Sequence, residues 1–174
     1  MTQSNVKPNS GKRKRLLRWF AEGLVLLLVL YLLHLWQTRN AIEGTAPALD
    51  GQLLDGRAFS LQSRSQGPLL VYFWASWCPV CGLTSGHIDS LAEKQNVLTI
   101  AMQSGAPSEI STYLSDKALN FPVMADPNGE IARRWGVRGV PTLYILDRQN
   151  RIRFVTVGYT SSVGLALRMW LAES

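Results

Sequence analysis

The chain has 174 residues, with 18 Lys or Arg against 12 Asp or Glu and a formal net charge of +6. Six of the basic residues (Lys7, Lys12, Arg13, Lys14, Arg15 and Arg18) fall within the first 18 positions, which hold no acid, so the rest of the chain is balanced at twelve against twelve. The excess charge belongs to the tail, and the basic balance gives no argument for nucleic-acid binding.

After that tail, residues 1–18, comes an apolar segment from Trp19 to Trp36, free of charge between Leu24 and Leu33. As a helix it spans about 27 Å, close to the hydrocarbon thickness of a bilayer. Trp19, Tyr31 and Trp36 stand where interfacial aromatics belong, and Glu22 lies near one end, within reach of headgroups. The segment is longer than the apolar region of a signal peptide, about 7–15 residues, and Thr45-Ala46-Pro47 makes a poor cleavage site. The reading is therefore an uncleaved transmembrane anchor, 19–36. The positive-inside rule leaves the tail in the cytoplasm and exports everything after Trp36. In a bacterial cell that means a single-pass inner-membrane protein whose C-terminal part lies in the periplasm, where disulfides persist.

Residues 37–47 read as a polar linker and 48–174 as one domain large enough for its own core. Leu49–Leu53 and Ala58–Leu61 flank Asp55-Gly56, a hairpin signal. The apolar run Leu69–Trp74 reads as a buried strand, Pro79 to about Gln95 as a helix and Val97–Met102 as a second strand. Pro107–Leu119 is a helix with proline in its first turn. Phe121–Met124 is a short extended piece before the turn at Asp126-Pro127-Asn128-Gly129, and Glu130–Trp135 is a brief helix ended by Gly136. Thr142–Leu146 and Ile152–Val157 are strands joined by a polar turn. Ser161–Ala172 is a closing helix with a serine cap. This order predicts a mixed α/β sheet flanked by helices.

The two cysteines of the chain, Cys78 and Cys81, follow the first buried strand at C-x-x-C spacing and open a helix. That is the arrangement a dithiol/disulfide redox centre needs, because unpaired N–H groups and the positive end of the helix favour a thiolate. A structural zinc site usually needs four ligands, and beyond this pair the chain offers only His34 and His87, so no metal is assigned.

Two separated motifs, Phe73-Trp74-Ala75-Ser76-Trp77-Cys78-x-x-Cys81 and Gly136-Val137-Arg138-Gly139-Val140-Pro141-Thr142-Leu143, with Gly158 ending the last strand, resemble thioredoxin. The anchor and hairpin are similar to the TlpA-like branch. The Pro79-Val80 dipeptide and the C-terminal stretch most resemble its suppressor-of-copper-sensitivity D proteins. The resemblance implies a thioredoxin fold with an N-terminal hairpin, and a cis Val140-Pro141 bond facing the cysteines that turns the backbone of Val140 toward an extended substrate. It also marks three departures. Tyr72 stands where thioredoxin has a buried aspartate, Thr84 where the TlpA-like branch has a glutamate, and Gly86 where a helix-kinking proline is usual. No carboxylate is thereby placed to take the proton of Cys81, and His87 reads as core packing.

The expected activity is thiol–disulfide exchange with protein partners, without cofactor. Cys78, partly exposed, is the nucleophile and Cys81 resolves the mixed disulfide, while Trp77, Val140 and Pro141 contact substrate and Trp74 stays in the core. The tethered resemblance leans toward a reductant recharged by a membrane thiol donor. Two rival classes stay open: a thiol peroxidase, which needs a sulfenic acid at Cys78, and a copper-binding module joining the cysteines with a histidine or with Met102 and Met124, residues that otherwise read as core fillers.

Overall fold

A computed structural model of the chain describes Trp19 and residues 22–29, 31–32, 44–64 and 67–173. The chain divides into two units, Met1–Arg39 and Asn40–Ser174. In the first, Trp19 and residues 22–29 and 31–32 are helical. Among the described residues no helix is long and apolar enough to cross a membrane. The basic tail and the rest of the segment 19–36 lie outside the described residues.

The second unit runs β1 Gly44–Thr45, β2 Asp50–Gln52, β3 Ala58–Ser60, β4 Leu69–Trp74, α1 Pro79–Ala92, β5 Val97–Met102, α2 Pro107–Asp116, β6 Val123–Asp126, α3 Glu130–Arg134, β7 Thr142–Leu146, β8 Arg151–Val157 and α4 Ser162–Ala172. Six strands form one mixed sheet in the order β1-β8-β7-β4-β5-β6, and β2 and β3 form the expected hairpin. β4 runs parallel to β5 and antiparallel to β7, so it lies between the two halves of the sheet.

All six residues of β4 are buried. Successive side chains of a strand point to opposite faces, and the two cores divide accordingly. Leu70, Tyr72 and Trp74 pack with Ile88 of α1, Ile110 of α2, and Leu165 and Met169 of α4. Leu69, Val71 and Phe73 pack with Leu49 and Leu61 beside the hairpin, and with Trp135 and Tyr144. The layers are thus three helices on one face and the hairpin with α3 on the other.

The structure departs from the sequence reading at element ends, each for a local reason. Gly44 and Thr45, in the stretch read as linker, pair with Ile152 and Arg151 of β8, and Ala46 N–H donates to Asn150 O at 2.9 Å. Buried Ala46 and Leu49 pin that edge strand. α1 ends at Ala92 rather than near Gln95, because the N–H groups of Lys94 and Gln95 converge on one carbonyl, that of Leu91. α2 ends at Asp116 rather than Leu119. Ala118 adopts φ +50°, and Leu119 N–H reaches back to Leu114 O at 2.9 Å, the closure that commonly ends a helix. The extended piece expected at Phe121–Met124 becomes a strand two residues later. The N–H groups of Asn120 and Phe121 are taken by the Asp89 carboxylate of α1, at 2.6 and 2.9 Å, and not by the sheet.

Candidate active site

Ligand sites of open α/β sheets lie beyond the carboxyl ends of the strands, where the chain order reverses. Here that point is the end of β4. The chain leaves Trp74, turns through residues 75–77, and starts α1 with Cys78 as N-cap and Pro79 in the first turn. Proline suits that position, since its missing N–H would have had no partner inside the helix. Cys81 N–H donates to Cys78 Sγ at 3.1 Å, so the sulfur occupies the place an N-capping oxygen usually takes.

Cys78 and Cys81 are joined as a disulfide, with Cα atoms 5.3 Å apart, and neither is free. Cys78 is 7% exposed and Cys81 0%. The expectation of a partly exposed Cys78 therefore needs correction: it packs into the apolar cluster with Cys81, yet it remains the more accessible residue of the pair.

Across from the bridge, Val140-Pro141 is a cis peptide. The Val140 carbonyl oxygen lies 3.7 Å from Cys78 Sγ. Val140 is half-buried and Pro141 buried. The Pro141 carbonyl is held by Gly158 N–H at 2.8 Å, and the Gly139 carbonyl by the Thr142 hydroxyl at 2.6 Å. Gly158 sits at φ +92°, a conformation that favours glycine. Trp77 is 59% exposed beside Cys78. The structure thus brings Trp77, Cys78, Cys81, Val140 and Pro141 to one end of the sheet. Trp74 belongs to the core, its indole N–H donating to Thr99 Oγ1 at 3.1 Å and its ring stacked on Tyr113.

Three groups at this site carry no sequence motif. The loop after β5 clasps the dithiol turn: Trp77 Nε1 donates to Gln103 O at 3.0 Å, and Ser76 N–H donates to Ser104 Oγ at 3.0 Å. Gln103 holds φ +48°, a left-handed value uncommon outside glycine. Beneath Cys81, Ser85 Oγ donates to the Cys81 carbonyl at 2.8 Å, and the Tyr72 hydroxyl lies 3.3 Å from both. Burial raises the Tyr72 pKa well above the ordinary phenol value, so the group stays protonated.

Of the departures marked in the sequence, Thr84 is buried and bonds Val80 O at 3.3 Å, and α1 runs without interruption through Gly86. His87 is half-buried, edge-on to Tyr159 with ring centroids 6.1 Å apart. Met102 and Met124 pack on the opposite face of the sheet from the cysteines, so the structure does not gather the methionines with the dithiol. Among the described residues no group of three His, Cys, Asp or Glu is arranged to hold a metal ion.

Comparison with known proteins agrees with this geometry. The family described as AhpC/TSA matches residues 42–155. The chain is 41% identical over 124 residues to a thioredoxin-like protein of Haemophilus influenzae, covering 70% of this chain and 74% of the relative. It is 25% identical over 126 residues to the thiol-disulfide oxidoreductase ResA of Geobacillus thermodenitrificans, covering 70% and 72%. The crystal structure of a thiol:disulfide interchange protein of Chlorobium tepidum, a thioredoxin family protein, shares the fold with a TM-score of 0.66 at 24% identity, over 76% of this chain and 97% of that one.

The clasp on the dithiol turn gives a direct test. Ser104→Ala leaves the Ser76 N–H without its acceptor, and loss of a partner to a partly buried donor costs about 1–3 kcal/mol. The urea midpoint should fall correspondingly with an unchanged slope. An unchanged midpoint would show that the Ser104 hydroxyl does not hold the turn.

Proposed function

Within the AhpC/TSA family, to which this chain belongs, we propose that it is a membrane-tethered periplasmic reductant of protein disulfides, working through Cys78. The chain is a thiol–disulfide oxidoreductase with a Cys-x-x-Cys pair, of the type its relatives are named for. The observation that carries the assignment of roles is the capping geometry: Cys78 Sγ accepts the Cys81 N–H at the start of a 14-residue helix and is the more accessible sulfur. A thiolate there gains a charge-assisted hydrogen bond and the favourable end of the helix dipole. Cys81, fully buried among apolar side chains, gains neither.

In the reducing direction the Cys78 thiolate attacks one sulfur of a substrate disulfide. The Cys78–substrate bond forms, and the other substrate sulfur leaves as a thiolate that takes up a proton. Cys81 then loses its proton and attacks Cys78 Sγ, the internal bridge closes, and the second substrate thiolate departs. Two electrons have moved from the dithiol to the substrate. A membrane thiol donor restores the dithiol by the reverse sequence. The backbone of Val140, beside Cys78, pairs with an extended substrate segment, and Trp77 and Pro141 shape the surface it meets.

Three measurements test this reading. Titrating thiolate absorbance in Cys81→Ser should give Cys78 a pKa of about 3.5–7.5, the range for thiols at helix N-termini. A value near that of free cysteine, about 8.5, sinks the assignment. Equilibration with defined thiol buffers should poise the pair nearer thioredoxin, about −270 mV, than the oxidant DsbA, about −120 mV; the latter outcome reverses the direction of electron flow. The anchor rests on the apolar run 19–36 with six positive charges before it and only Arg39, offset by Glu43, close after it. Alkaline phosphatase, which needs disulfides, fused after Ala46 should be active, and the full-length chain should fractionate with the membrane. An inactive fusion reverses the topology, and a soluble periplasmic product starting near Pro47 marks a cleaved signal.

A further inference from the structure

We propose that Tyr72 and Ser85 are positioning residues for Cys81, a neutral hydroxyl pair that anchors the turn carrying the resolving sulfur to the central strand. The inference rests on the thiol-exchange reading above and concerns its second step. Tyr72 lies in the middle of β4 with no exposure to solvent, and Ser85, one helical turn after Cys81, is 1% exposed. The Ser85 hydroxyl donates to the Cys81 carbonyl at 2.8 Å, and the Tyr72 hydroxyl lies 3.3 Å from that carbonyl and 3.3 Å from Ser85 Oγ. The three oxygens form a closed set, and every member is on or against the first turns of α1. A buried tyrosine hydroxyl needs a partner; this one finds it on the residue that must swing its sulfur onto Cys78.

The immediate packing around this set is apolar. β4 contributes Leu70, Tyr72 and Trp74, β7 contributes Leu143 and Ile145, and the α2 side contributes Ile110 and Phe121. The titratable and charged groups from the packed elements include Cys78, half-buried His87 and half-buried Asp89 on α1, Tyr113 on α2, Tyr159 before α4, and half-buried Arg168 on α4; the Asp89 carboxylate takes the N–H groups of Asn120 and Phe121. Tyr113 is stacked on Trp74, and His87 faces Tyr159. The pair holds Cys81 in place by hydrogen bonds, and burial keeps the Tyr72 hydroxyl protonated.

In the resolving step Cys81 loses its proton and attacks Cys78 Sγ, the Cys78–substrate bond breaks, and the departing thiolate takes up a proton. A hydroxyl pair that sets the approach of Cys81 acts on this step and not on the first attack by Cys78. The full-length protein in detergent, reduced and mixed with oxidised glutathione, separates the two. Acid quenching and intact-mass detection follow the formation of the Cys78–glutathione adduct and the release of the second glutathione. Tyr72→Phe and Ser85→Ala should each slow that release by about two- to tenfold, the range for losing one neutral hydrogen bond, with adduct formation at the wild-type rate. The double variant should be slowed by less than the product of the two, since the residues share one network.

Equal slowing of both steps in Tyr72→Phe and Ser85→Ala means a general structural role and overturns the proposal. So does unchanged release. Ser85→Ala leaves β4 intact, so a Tyr72 variant that fails to fold does not remove the test. Cys78→Ser separates the two layers of the argument. If it still reacts with glutathione disulfide at the wild-type rate, the assignment of Cys78 as the attacking sulfur fails. If it is inert while Tyr72→Phe releases glutathione normally, only the positioning role fails.

Discussion

Burial of β4 on both faces is the constraint from which the rest of this site follows. A strand with all six residues buried cannot lie at an edge, and pairing with β5 on one side and β7 on the other fixes it in the centre of the sheet. Full burial of a large apolar side chain contributes roughly 1.5–3 kcal/mol, so displacing this strand would be costly. It also carries two polar atoms into the core, and both must be satisfied there. The Trp74 indole N–H goes to Thr99 of β5, which ties neighbouring strands together. The Tyr72 hydroxyl goes to the first turns of α1, which ties the helix bearing both cysteines to the sheet. The dithiol is thus mounted directly on the central, fully buried strand.

That mounting makes two chemically alike residues different. Cys78 lies outside the first turn, where backbone N–H groups lack helical partners, and one of them, from Cys81, points at its sulfur. Cys81 lies three residues on, inside the apolar cluster, with no exposure. Under the proposed roles, burial works against a thiolate at Cys81 while the helix terminus works for one at Cys78. The spacing of two intervening residues supplies this asymmetry, because it places one sulfur at the N-cap and the other one turn in. The strand before it decides which way the helix points.

Much of this was legible in the chain, and the reasons differ by element. The Leu69–Trp74 run is continuous and apolar and Val97–Met102 is interrupted only by Thr99, so the ends of both could be read to the residue. Cys78-Pro79 at a helix start and Val140-Pro141 before a strand are local signals carried by residue type. What escaped depends on pairing or on packing. β1 is two residues long and is held by backbone bonds to β8, which leave no periodic trace. The ends of α1 and α2 are set by where carbonyls close on N–H groups, not by composition. Gln103 at φ +48° is invisible because the glycine of this loop, Gly105, stands two residues further on, and its neighbour Ser104 reads as one more loop serine until the structure sets it against Ser76. Tyr72 was legible as a departure from the family pattern. That its hydroxyl meets Ser85 was not, since residues 72 and 85 lie on different elements.

The exposed side chains around Cys78 set how a partner is held under the proposed mechanism. Trp77, Val80 and Leu83 are the large apolar residues left in solvent on the dithiol turn and the first turns of α1. The Trp77 N–H is already engaged by Gln103 O, so the ring offers a partner its faces and edge without an unmatched donor. A large aromatic buries about 150–250 Å² at most, and these three side chains together fall well short of the roughly 1,000 Å² that a stable interface needs. Apolar contact alone therefore gives only a brief encounter. Specific residence comes from backbone pairing at Val140 and from the mixed disulfide itself, and once Cys81 has closed the internal bridge the covalent hold is gone. A weak apolar rim around a strong but self-cancelling covalent bond is what lets such a site release one protein substrate and accept the next.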